Sequence, residues 1–79
     1  MDDAQILQQI EKLVEEEREL REQAKGEMPD EAHARLESLE IGLDQCWDLL
    51  RQRRAFREFG ENPEGAHTRD ASTVEQYEQ

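Results

Sequence analysis

Ala24-Lys25-Gly26-Glu27-Met28-Pro29-Asp30-Glu31-Ala32 reads as the break between two helices. Gly26 fits the left-handed residue that ends one helix. Pro29 fits the first turn of the next, where a missing N–H leaves no bond unmade. Asp30 and Glu31 then put acids at the positive end of the helix dipole. A link this short makes the two helices antiparallel neighbours.

Toward the N-terminus, Ile6, Ile10, Leu13, Leu20 and Ala24 recur at alternating steps of four and three, and Glu17 occupies the one missing place. This is a heptad seam, not the alternation of a strand. Leu7 and Val14 lie beside it and widen the apolar stripe. Asp2 or Asp3 suits the N-cap, and no Gly or Pro interrupts the run. The spacing predicts a helix over about 3–25. Toward the C-terminus, Leu36, Leu39, Leu43, Cys46 and Leu50 continue a second seam from Ala32, with Trp47 next to it. It predicts a helix over about 30–59, stopped by Gly60 and Pro63. The expected fold is all-α: a coiled-coil-like antiparallel hairpin over 1–59 with its turn at 26–29, followed by a flexible acidic tail over 60–79. Within that tail Thr73 and Gln76 have capping-box spacing, enough for one helical turn over 74–78 that would be unstable alone.

At 1.5 Å per residue the second helix is ~45 Å long against ~33 Å for the first. In a hairpin folded at the short link, facing residues have numbers that add to about 55. Ile10 then faces Cys46, Ile6 faces Leu50, and Asp2 and Asp3 face Arg53. Beyond Arg53 the second helix overhangs its partner and carries Phe56 and Phe59. Leu49, Phe56 and Phe59 also lie on a face turned away from the seam, and two apolar faces on one helix need two neighbours. The economical expectation is a homodimer, two hairpins forming a four-helix bundle. Trp47, Leu49, Phe56 and Phe59 are then the candidate intermolecular interface. A different protein partner could serve the same surface.

Composition narrows the partner class. The chain has 79 residues, of which 34% are hydrophobic and 39% charged, and 21 acids against 10 bases leave a net charge of −11. Nucleic acids and anionic membranes call for a basic face, so both are disfavoured. One run, Arg51, Arg53, Arg54 and Arg57, keeps open an alternative role on nucleic acid, as does the acidic surface acting as a nucleic-acid mimic. The competing reading is that cations belong at a helix C-terminus with acids opposite. Cys46 is the single cysteine, and no disulfide framework, signal segment or span of ~20 apolar residues is present. The chain reads as cytoplasmic.

Catalytic, cofactor and metal sites are not expected. His33, Cys46 and His67 do not pair at ligand spacing. Cys46 on the seam reads as a small buried hydrophobe. Glu11, Glu15, Glu19 and Glu22 read as a solvated face, because no Glu-x-x-His accompanies them. Glu17 on the seam needs a partner, Arg35 or an arginine of a second chain, and then serves to fix register. No phosphate loop or Ser/His/Asp set points to an enzyme.

The run Leu43-Asp44-Gln45-Cys46-Trp47-Asp48-Leu49-Leu50-Arg51-Gln52-Arg53-Arg54-Ala55 resembles a family of short uncharacterised actinobacterial proteins, classed as a domain of unknown function. The resemblance covers nearly the whole chain, with the opening Ile6 to Glu17, the stop Gly60-Glu61-Asn62-Pro63 and the tail Thr73-Val74-Glu75. It implies an actinobacterial origin and supports the helical fold. It implies no activity and no catalytic or binding residue.

Overall fold

The computed structural model describes residues 1–24 and 26–70. Helix α1 runs Asp3–Ala24, helix α2 runs Asp30–Glu58, and a single 3-10 turn spans Pro63–Gly65. Among the described residues there is no strand, and α1 packs against α2.

The ends of α1 follow from its sequence. Asp2 is the cap: its Oδ1 accepts from the Gln5 N–H at 2.8 Å, and Gln5 Oε1 accepts from the Asp2 N–H at 2.9 Å. This reciprocal box satisfies two of the donors that a helix start leaves orphaned. At the other end Gly26 takes φ +92°, and Glu27 N–H donates to the Ala24 carbonyl. A side chain at that φ would be strained. Pro29, extended at φ −61° and ψ 157°, opens α2 without a side-chain cap.

The core sits where the two seams meet. Ile6, Ile10 and Leu49 form its buried centre, with Leu43, Cys46, Leu50 and Ala66 packed against them. Leu39, 2% exposed, is buried farther toward the turn, while Leu13, Leu20 and Leu36 are half-buried. Leu13 lies on Gly42, where a Cβ would meet its Cδ1 at 3.5 Å. That contact and the Asp3–Arg53 pair keep the antiparallel register that the short link implies. Only Ile6, Ile10, Leu39 and Leu49 are buried hydrophobics among the described residues. For a chain of this size that is a thin core.

Leu49 corrects one expectation. Placed on the outward face as part of an intermolecular interface, it instead packs between α1 and α2 against Ile6 and Ile10. It lies close enough to the seam for rotation of α2 to bring it in.

The chain after α2 is a second correction. Glu61 N–H donates to the Phe56 carbonyl and Gly60 N–H to the Arg57 carbonyl, with Gly60 at φ +71°. This Schellman pattern satisfies the last carbonyls and reverses the chain. Residues 61–70 then return along α2 as an arm, where a free tail was expected from Gly60 onward. Asn62 caps the 3-10 turn through Oδ1, which accepts from the Glu64 N–H. Gly65 passes over Phe56 so closely that a Cβ there would lie 2.7 Å from the ring Cε2. Phe56 is therefore half-buried by its own chain. The expected turn over 74–78 lies outside the described residues. No helix of the described residues is long and apolar enough to cross a membrane.

Candidate interaction surface

Seen down α2, the hairpin has two flanks, one closed by the arm and one open. Arg53 organises the closed side. Its Nε donates to Asp3 Oδ1 at 2.5 Å, and its Nη1 donates to the Met1 carbonyl at 2.7 Å, to Glu64 Oε1 at 3.2 Å and to the Pro63 carbonyl at 3.3 Å. The residue is only 7% exposed. Burying a guanidinium is tolerable only with this degree of hydrogen bonding. Arg57 adds a contact to Asp3 Oδ2 at 3.0 Å. Hydrogen bonds from Arg53 and then Arg57 hold the Asp3 carboxyl below its ordinary range. The N-terminal ammonium first, and Arg53 next, do the same for Glu64.

Farther back along α2, polar side chains grip the arm's backbone. Gln52 Nε2 donates to the His67 carbonyl at 2.7 Å, and Gln52 Oε1 accepts from the His67 N–H at 3.4 Å. Gln45 Nε2 donates to the Arg69 carbonyl at 3.1 Å. Asp48, 2% exposed, accepts from Gln52 Nε2 and pairs with Arg69 Nε at 3.2 Å. The sequence pairs Arg53 with Asp2 and Asp3 but gives Asp48 and Gln52 no intramolecular role. The one signal for those two is Leu49 and Phe56 beside them, an apolar face that needs a cover. Between arm and hairpin a groove of about 420 Å³ remains, lined by Leu13, Gly42, Cys46, Leu49 and Thr68 among others. It contains no charged side chain to orient a ligand.

The opposite flank is open. Leu7, Val14 and Trp47 expose 45%, 47% and 46% of their surface, next to half-buried Leu43 and Leu50. Leu7, Val14 and Arg21 share one line of α1 at seven-residue spacing, and Glu40, Trp47 and Arg54 share one line of α2. Arg21 Nη2 reaches Glu40 Oε1 at 3.5 Å, which puts both lines on the same side of the hairpin. Of the four residues expected at an interface, Trp47 lies here, Leu49 is inside, Phe56 is beneath the arm, and Phe59 stands 81% exposed at the end of α2. Leu7 and Val14 are the other exposed hydrophobics on this flank.

The remaining candidates are structural. Glu17 is half-buried and pairs with Arg21 one turn on at 3.0 Å, while Arg35 pairs with Glu16 at 2.5 Å. The sequence leaves Glu17 either Arg35 or an arginine of a second chain as partner; α1 supplies Arg21 instead. Cys46 is half-buried, and burial raises its thiol pKa, away from a reactive thiolate. In the arginine run, Arg53 and Arg57 engage Asp3, and Arg54 engages Glu58 at 3.1 Å. Among the described residues, no three His, Cys, Asp or Glu side chains converge as a metal requires.

Comparison with known proteins gives a family without a mechanism. Residues 2–79 match the family model described as "Protein of unknown function (DUF2630)". Uncharacterized proteins of Mycobacterium bovis and of two strains of Mycobacterium tuberculosis are each 48% identical over 77 residues, spanning 95% of this chain and 88% of the relative. No solved structure matches.

Proposed function

We propose that this chain, which belongs to the DUF2630 family of proteins of unknown function, is a small acidic interaction module rather than an enzyme. It works through protein–protein contacts in the cytoplasm, and a partner hairpin completes it as a four-helix bundle. The observation that carries this reading is the open flank: Leu7, Val14 and Trp47 about half exposed beside Leu43 and Leu50. Fully burying a Val, Leu or Phe side chain is worth roughly 1.5–3 kcal/mol, so covering this flank would add a large fraction of what a domain this small has. The chain has already used its arm on the other flank. The arginine run supports a nucleic-acid role less well, because Arg53, Arg54 and Arg57 already engage acids of the same chain.

A photo-crosslinking residue at Leu7 or Val14 tests the reading in cells, with the same residue at exposed Glu19 as control. Adducts to a protein chain, of this or another kind, are expected from the flank and not from Glu19. Flank positions that react only with water would overturn it.

A further inference from the structure

We infer that the open flank is covered by a second copy of this chain, with α2 crossing its counterpart antiparallel on a two-fold axis at Trp47. This rests on the interaction-module reading and names its partner. Glu40, Trp47 and Arg54 stand at seven-residue intervals on one line of α2, so Trp47 has an acid seven residues before it and a base seven residues after. An antiparallel two-fold at Trp47 sets each Glu40 against the other copy's Arg54. A parallel pairing would stack Glu40 on Glu40 and Arg54 on Arg54, and like charges in that position are destabilising. The charge order therefore selects both partner and direction.

Packing agrees with charge. Leu43 and Leu50 lie one turn either side of Trp47 on α2 and are half-buried, so at the crossing each Trp47 meets the other copy's Trp47 between these leucines. Leu7 and Val14 on α1 extend the apolar strip beside it. Glu40 and Arg54 already have neighbours, Arg21 at 3.5 Å and Glu58 at 3.1 Å. Glu40, Arg21, Arg54 and Glu58 are all more than half exposed in those pairs. Such contacts are weak and exchange readily for contacts across an interface.

Two single charge reversals and their mixture test the inference. Sedimentation equilibrium in micromolar wild-type protein at physiological salt is expected to give twice the chain mass. Glu40→Arg alone and Arg54→Glu alone each replace two attractive contacts by two repulsive ones and weaken self-association about tenfold. Mixed, they form a heterodimer at wild-type strength, because each contact again joins an Arg to a Glu. Native mass spectrometry would show one chain of each kind. Damage to the fold of either variant would not be repaired by mixing, and circular dichroism checks that both stay helical. A wild-type dimer indifferent to both reversals, or a mixture no stronger than its components, overturns the two-fold at Trp47 and leaves the interaction-module reading standing. A wild-type chain that stays single, while Leu7 and Val14 crosslink to other proteins, overturns the second copy alone. Absence of both self-association and crosslinks overturns the module reading as well.

Discussion

Arg53 and Asp3, fifty positions apart in the chain, meet at 2.5 Å between Nε and Oδ1 on a nearly buried guanidinium. The same guanidinium holds the Met1 and Pro63 carbonyls and the Glu64 carboxylate. One side chain therefore ties together the start of α1, the end of α2 and the arm.

Arg53→Met keeps the length of the stem and removes every one of these bonds. Asp3 and Glu64 are left about half exposed, so water can solvate them and the hairpin survives. The expected result is amide exchange about tenfold faster or more over 61–66, with the centre of the helices unchanged. Hydrogen-exchange mass spectrometry measures it.

Acid should release the arm before it melts the hairpin. Asp3 and Glu64 both titrate below their ordinary values in the fold. Their contribution to stability is therefore complete above the ordinary carboxylate range of about 4, and it is lost as pH falls through the depressed native values. Over the same interval protonation relieves repulsion in a chain of net charge −11, which favours the helices. The expected record is a change in the NMR shifts of Gly65 and Ala66 below about pH 4 with far-ultraviolet circular dichroism largely retained.

Packing under the arm gives a prediction with a size. Gly65→Ala would put a methyl 2.7 Å from the Phe56 ring, so the ring or the arm must shift. Overpacking of this kind costs about 1–3 kcal/mol, and the lower end is expected because Phe56 is only half-buried. Leu39→Ala, at a residue 2% exposed, should cost about 2–5 kcal/mol by leaving a cavity. Urea denaturation of the two variants would order them, Leu39→Ala the more damaging.

Much of this architecture is legible in the residues themselves. The heptad steps from Ile6 and from Leu36 place both helices, Gly26 and Pro29 place the turn between them, and the short link brings Asp3 to Arg53. The closed flank is not legible in that way. Asp48 and Gln52 are hydrophilic, so periodicity assigns them to water. Their partners, Arg69 and the His67 carbonyl, belong to an irregular segment with no period to detect. The apolar face at Leu49 and Phe56 is visible as surplus. Spacing assigns it to another chain, because nothing in it marks an arm that returns. Gly60 and Pro63 signal a stop, and only the hydrogen bonds of Gly60, Glu61 and Asn62 show that the stop is also a reversal.

One flank is sealed by the chain's own arm, and the proposed second hairpin would cover the other. Trp47 is the single tryptophan and lies on the open flank, so its fluorescence reports that surface alone. Acrylamide quenching of wild-type protein, followed across the concentrations over which the sedimentation mass rises from one chain to two, tests the claim most directly. Quenching should fall and emission shift to shorter wavelength in step with the mass. Two chains associating while Trp47 remains as open to acrylamide as in the single chain would contradict the account.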